Sequence, residues 1–171
     1  MPELLCSLPI LKLLTLEAAC TQRVELARQG KQVVLTNGCF DLLHAGHLYF
    51  LQEARALGDV LFVAINSDES VRCLKGPDRP VQSEKERAYA LSALECTFTL
   101  FIFHHPRLAD EIKLLRPDIY AKAGDYNMER LDVREREALE ACNTRIVFLP
   151  FLEGFSTSGL IKRIWHAGGL D

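Results

Sequence analysis

Five short apolar runs rich in β-branched and aromatic residues punctuate the chain: Gln32 to Thr36, Val60 to Asn66, Thr97 to Phe103, Asp118 to Ala121 and Arg145 to Leu149. Each has the length of a strand, and the stretches between them carry apolar residues at helical spacing. Leu48, Leu51, Ala54 and Leu57 form one such set, Ala88, Leu91 and Leu94 another, followed by Leu108 to Leu115 and Val133 to Ala141. A last helix is expected after Ser156. Strands that are apolar almost throughout need helices on both faces, and regular alternation makes right-handed parallel crossovers the default. The spacing predicts an α/β protein with a doubly wound five-stranded parallel sheet. Ligands of such sheets gather beyond the carboxyl ends of the strands, so the loops after Thr36, Asn66, Phe103, Ala121 and Leu149 belong together.

The chain has 171 residues, enough for one domain with a core of its own. With 49% hydrophobic and 25% charged residues, disorder, collagen and coiled coil are excluded. The net charge of −3 provides no general attraction for nucleic acid or an anionic membrane. Cys6, Cys20, Cys39, Cys73, Cys96 and Cys142 form no C-x-x-C pair, which suits unpaired thiols in a reducing cytoplasm. Met1 to Cys20 is rich in Leu, but Glu3, Lys12 and Glu17 interrupt it, so it reads as an amphipathic helix rather than a signal peptide or a lipoprotein site at Cys20. Residues 1–30 are thus expected to be an N-terminal helical extension of a domain over 31–171. No apolar run is long enough to span a membrane.

The first loop, Thr36-Asn37-Gly38-Cys39-Phe40-Asp41-Leu42-Leu43-His44-Ala45-Gly46-His47, leaves a strand, turns at Gly38 and starts a helix near Gly46. Backbone amides at a helix start attract anions. His44 and His47, three apart, can turn both imidazoles to one point, and Gly46 between them lets a bulky ligand approach the backbone. Neither G-x-G-x-x-G nor a P-loop is present. One isolated histidine would more often cap or pack, and zinc would need a third ligand that no nearby spacing offers.

After the second strand, Arg72, Lys75 and Arg79 sit in what reads as a loop, with Lys75 beside Gly76 suited to follow a polyphosphate. Arg87 could clamp a phosphate, or pair with Glu84 or Asp110. Gly124 and Asp125 follow the fourth strand, where an ordinary turn would explain them nearly as well. Ser156, Thr157 and Ser158 follow the fifth, more hydroxyls than one helix cap uses.

His44-Ala45-Gly46-His47 together with Ser156-Thr157-Ser158 resembles the H-x-G-H nucleotidyltransferase superfamily. The ordered set Thr36 to Asp41, Asn66-Ser67-Asp68, Leu74-Lys75-Gly76, Arg79-Pro80-Val81 and Gly124-Asp125-Tyr126 is most similar to the adenylyltransferase domain of ADP-heptose synthases. The resemblance implies a Rossmann-like nucleotidyltransferase fold and transfer of AMP from ATP to D-glycero-β-D-manno-heptose 1-phosphate, with Mg²⁺ assisting. It implies His44, His47 and Lys75 as catalytic residues. Asn37, Gly38, Cys39, Phe40, Gly46, Arg87, Gly124, Asp125, Ser156, Thr157 and Ser158 would bind the nucleotide, and no residue a metal. It also implies small-molecule substrates and a homodimer, with no nucleic-acid or membrane partner. Ala123 and Ser158 depart from the usual K-G-G-D and second threonine. Two alternatives stand beside this reading. One is a cytidylyltransferase acting on glycerol 3-phosphate or a related monoester, although the Arg those enzymes carry before their S-T-T element is absent here. The other is a non-catalytic nucleotide-binding module, which retention of His44, His47, Lys75 and the hydroxyl triplet argues against.

Overall fold

A computed structural model describes residues 10–124, 127–150, 152 and 154–168. The order is α1 (Leu16–Arg28), β1 (Val33–Gly38), α2 (Ala45–Ala56), β2 (Val60–Asn66), α3 (Asp68–Lys75), α4 (Glu84–Ser92), β3 (Thr99–Phe103), α5 (Ala109–Leu115), β4 (Ile119–Ala123), α6 (Val133–Ala141), β5 (Arg145–Leu149) and α7 (Thr157–Ala167). All strand pairs are parallel, in the order β3-β2-β1-β4-β5. The expected doubly wound sheet is present.

Side chains alternate across a strand, so an unbroken apolar run feeds two cores. Val33 and Leu35 of β1, with Phe62, Phe101 and Tyr120, pack against Ala19 and Leu26 of α1, Ile112 of α5 and Leu139 of α6. Val34, with Leu61, Val63 and Ile119, packs on the other face against Leu51 and Ala54 of α2 and Leu91 of α4. The chain builds outward from β1 through β2 to β3, then crosses back to β4 and β5. The strand order therefore reverses at β1, where a crevice is expected.

Two expectations are corrected. The segment after Asn66 is not a loop: Ser67 accepts a hydrogen bond from the Ser70 amide, acidic Asp68 and Glu69 occupy the first turn, and α3 runs to Lys75. Residues 10–15 are not helical, and among the described residues the first helix begins at Leu16, where the Thr15 hydroxyl caps it. Ahead of it the chain lies along the edge of β3, with the Leu14 amide donating to the Leu100 carbonyl at 2.9 Å and the Leu100 amide to that of Lys12 at 2.8 Å. This backbone pairing covers an edge that would otherwise be open, and it is incompatible with helix. The earlier part of the expected helix, with Cys6, lies outside the described residues.

Candidate active site

A cleft of about 330 Å³ opens at the carboxyl ends of the strands beside β1. Asn37 to Asp41, Asn66, Pro106 with Arg107, and Lys122 with Ala123 contribute to it from the ends of β1, β2, β3 and β4, and Gly46, His47, Lys75, Glu135 and Thr157 from the helices.

The histidine pair is set by a chain of close contacts. Contrary to expectation, the chain does not turn at Gly38 but continues as β1 through it, and the backbone enters the left-handed region at Phe40, with φ of 48°. A Cβ on Gly38 would lie 3.0 Å from the Phe40 ring, so its absence lets that ring fold back over the strand end. Phe40 then meets the His47 ring edge-on at a centroid distance of 5.4 Å, and His47 stacks on His44 at 3.9 Å with 24° between planes. His44 occupies the N-cap position of α2 without a side-chain capping bond, and its buried Nδ1 has no partner among the described residues. Gly46 does not leave room for a ligand in the way its sequence position suggested. A Cβ there would meet both the His44 ring and the Phe155 Cβ at 3.1 Å, so the protein's own side chains fill the space. The missing side chain instead brings the start of α2 against the approach to α7.

Burial lowers the pKa of His47 to about 4, helped by the charges of His44 and Lys75. Burial also lowers that of His44, with Arg163 of α7 adding to the effect. Both imidazoles therefore rest neutral beside two cations, an environment that favours an incoming polyanion. Lys75 ends α3, where the helix C-terminus suits a cation, and its exposed side chain reaches the cleft. Thr157 lines the cleft, whereas the Ser156 hydroxyl is occupied in capping α7 by accepting from the Gly159 amide at 3.0 Å, and Ser158 is exposed away from the cleft lining. Gly124 directly follows β4 and is not part of the cleft lining, and Asp125 lies outside the described residues.

Arg87 stands apart from the rest. It is fully buried, and its guanidinium donates to the Cys39 carbonyl at 2.6 Å, the Gln82 carbonyl at 3.1 Å and Asp68 Oδ1 at 2.8 Å. Neither Glu84 nor Asp110 is its partner, and it has no free fork for a phosphate. It ties the first loop to the start of α3. Asp41, equally buried, braces the same region by accepting from Arg79 Nε at 2.6 Å and from the Val81 and Gln82 amides at 2.8 and 3.0 Å. Cys39 is half-buried with its thiol pKa raised by burial, and its Sγ lies 3.8 Å from Asn66 Oδ1, as befits an unreactive packing residue.

Sequence reasoning missed the part of the cleft built around the side chain of Asn37. Lys122 Nζ and the Tyr120 hydroxyl both donate to Asn37 Oδ1, at 2.7 and 2.8 Å, while Glu135 and Arg107 reach the same part from the α6 and α5 side. Arg163 was missed too, although it follows Ser156 at helical spacing and so lies on the same face of α7. No group of three His, Cys, Asp or Glu among the described residues could hold a metal.

Neutral imidazoles with flanking cations at the switch point of a parallel sheet are an arrangement chemically suited to an anion. A sequence profile described as cytidylyltransferase-like matches residues 35–163. The chain belongs to the cytidylyltransferase-like family. It is similar to the bifunctional protein HldE of Syntrophotalea carbinolica, 47% identical over 137 residues, and to that of Citrifermentans bemidjiense, 48% identical over 136. Each alignment covers 80% of this chain but only 28% of the relative, so the chain spans little more than a quarter of those proteins. Among solved structures, the lipopolysaccharide core biosynthesis protein of Thermoplasma volcanium superposes with a TM-score of 0.61 at 27% identity, over 72% of this chain and all of that one. The family member described here is a nucleotidyltransferase. Among the described residues no helix is long and apolar enough to cross a membrane.

Proposed function

We propose that this nucleotidyltransferase moves AMP from ATP to the phosphate of D-glycero-β-D-manno-heptose 1-phosphate, giving ADP-heptose and pyrophosphate. The observation that carries the reading is the stacked His44–His47 pair at the start of α2, of which His47 lines the cleft together with Lys75 and Thr157. An acceptor phosphate is already an anionic nucleophile, so the protein has only to position reactants and stabilise charge. An acceptor oxygen attacks the α-phosphorus in line, the bond from that phosphorus to the bridging oxygen breaks, and its electron pair leaves with pyrophosphate. His44, His47 and Lys75 donate to the bridging and β-phosphate oxygens as negative charge grows there. Main-chain groups from Gly38 to Phe40 and at Gly46, with Thr157, hold the nucleotide, and Arg87 acts by fixing their loop.

No group of three His, Cys, Asp or Glu among the described residues could hold Mg²⁺ by protein ligands alone, and no step here depends on the ion. An ion that arrives with ATP is part of the substrate, which is how Mg²⁺ commonly reaches phosphoryl-transfer sites. The reading includes a cytoplasmic homodimer acting on small molecules. Free thiols at Cys20, Cys39, Cys73, Cys96 and Cys142 support the compartment, and the exposed Ile164 and Trp165 of α7 support the dimer, which sedimentation velocity tests.

Pyrophosphate release measured with ATP, CTP and GTP, each crossed with heptose 1-phosphate and glycerol 3-phosphate, tests base and acceptor together. Turnover is expected with ATP and the heptose. Preference for CTP with glycerol 3-phosphate would replace the reading by the cytidylyltransferase alternative.

A further inference from the structure

Glu135 is only 2% exposed, yet it belongs to the cleft wall. Its Oε1 accepts from the Leu108 amide at 2.8 Å. The neighbour of Oε2 is the Tyr120 hydroxyl at 3.5 Å, but that phenol has a single proton and stands 2.8 Å from Asn37 Oδ1, the better acceptor position. Oε2 is thus a buried acceptor without a good donor, and Glu135 takes part in no ion pair among the described residues. Leaving such a group unsatisfied is costly, and capping α5 uses only its other oxygen.

Asn37 stands beside it with complementary chemistry. An ammonium group can only donate, so the atom 2.7 Å from Lys122 Nζ is the amide oxygen, and Nδ2 is the opposite end. That end makes no hydrogen bond among the described residues. The Tyr120 hydroxyl touches both Asn37 Oδ1 and Glu135 Oε2, so the two residues are neighbours, and a carboxyl acceptor with an amide donor close by matches adjacent hydroxyls on one molecule.

We infer that Glu135 Oε2 and Asn37 Nδ2 read neighbouring hydroxyls of the acceptor, making Glu135 a specificity residue for a phosphate monoester whose carbon skeleton is polyhydroxylated and uncharged. The assignment rests on the nucleotidyl-transfer reading above. In-line displacement places the nucleophile opposite the leaving group. If pyrophosphate leaves toward His44, His47 and Lys75, the acceptor lies across the cleft, on the wall built by Asn37, Glu135 and Arg107. Lys122 on that wall, with Arg107 beside it in an ion pair to Asp132 at 3.3 Å, places positive charge near the acceptor phosphate.

The test is a cycle between protein and substrate. Wild type and Glu135→Gln are compared on heptose 1-phosphate and on a panel of its monodeoxy analogues, with KM for ATP and for 2′-deoxy-ATP measured in parallel. Gln retains an oxygen for the Leu108 amide. One deoxy analogue is expected to lose roughly 10- to 100-fold in kcat/KM with wild type, the scale of one hydrogen bond to a charged group. Glu135→Gln is expected to lose a similar factor with the full acceptor and little more with that analogue, while KM for ATP moves less than about two-fold. A role confined to capping α5 would not couple to one substrate hydroxyl. Coupling to 2′-deoxy-ATP instead, or a folded variant with no acceptor penalty, overturns the assignment. Should Glu135→Gln not fold, the panel on wild type decides, and the absence of any analogue losing ten-fold overturns it. If wild type refuses heptose 1-phosphate but uses glycerol 3-phosphate, the proposed function fails; selective loss of that acceptor by Glu135→Gln then upholds Glu135 independently. Preference for an amino-alcohol phosphate overturns both.

Discussion

The resting neutrality of His47 has consequences that can be measured without substrate turnover. Its pKa of about 4 lies below the ordinary histidine value of 6.5 because burial penalises the imidazolium. Between those pH values the unfolded chain takes up a proton that the folded chain refuses, so this residue erodes stability as pH falls through the window. Urea denaturation of His47→Gln should show a flatter dependence on pH between about 4 and 6.5 than wild type. A bound triphosphate reverses the balance by stabilising the imidazolium. Calorimetry of ATP binding near pH 6, in buffers of different ionisation enthalpy, should detect proton uptake that the same variant lacks. In catalysis, His47→Ala should lose roughly 10²- to 10³-fold in kcat with its circular dichroism unchanged, as for loss of one oxyanion donor. Near-normal turnover would remove His47 from the chemistry. The histidine pair was legible in the sequence because spacing of three on a helix start fixes proximity. The bracing of the pair by Phe40, and the grouping of Lys122, Tyr120 and Glu135 around Asn37, were not, because those contacts join residues far apart in the chain. Arg87 shows the converse: its charge suggested a ligand, but its partners at Cys39, Gln82 and Asp68 are fixed by tertiary packing that no local pattern encodes.

At the level of elements, Arg87 becomes a strut between the first loop and α3, and it should behave as one. Arg87→Ala leaves Asp68 without its partner, and breaking a buried pair in this way costs about 3 kcal/mol or more. Thermal unfolding should shift down accordingly. What remains folded should lose kcat with both substrates rather than raise KM for ATP alone; a selective rise in that KM would restore the phosphate-clamp reading. The strands were readable because fully apolar runs admit few other structures, and β2 and β5 have the bounds the sequence suggests. Helix α3 escaped notice because it is so short and polar that only Val71 and Leu74 carry an apolar pattern, leaving its Ser67 cap and charged ends as the available signal. Lys12 to Leu14 escaped because pairing to the β3 edge is a long-range event. Tight turns are a further test of element packing. A Cβ on Gly58 would lie 2.8 Å from Val34 Cγ2 and 3.0 Å from the Gln32 carbonyl, so Gly58→Ala should destabilise by about 1–3 kcal/mol through overpacking between α2 and β2.

For the molecule as a whole, the decisive feature is that one sheet separates two cores, each closed by helices of this chain. The first is covered by α1, α5 and α6, the second by α2 and α4, and both include residues of β1, β2 and β3. Because shared strands couple the cores, loss of one face should expose the other, and the chain should unfold as one cooperative unit. The site is also built within this chain, since loops after β1 to β4 and the starts of α2 and α7 supply its walls. Although each HldE alignment covers only 28% of the relative, the cores and cleft described here are formed by residues of this chain. The 171-residue chain is therefore expected to show coincident urea transitions by tryptophan fluorescence of Trp165 and by far-ultraviolet circular dichroism, and to release pyrophosphate without any added polypeptide. The fluorescence comparison is demanding because Trp165 lies on α7, whose residues are all at least partly exposed. If α7 is held by the start of α2 through Phe155 and Gly46, the two signals move together. An earlier fluorescence transition would show α7 detaching before the sheet melts, and ATP should then delay it by drawing Thr157 toward the phosphates.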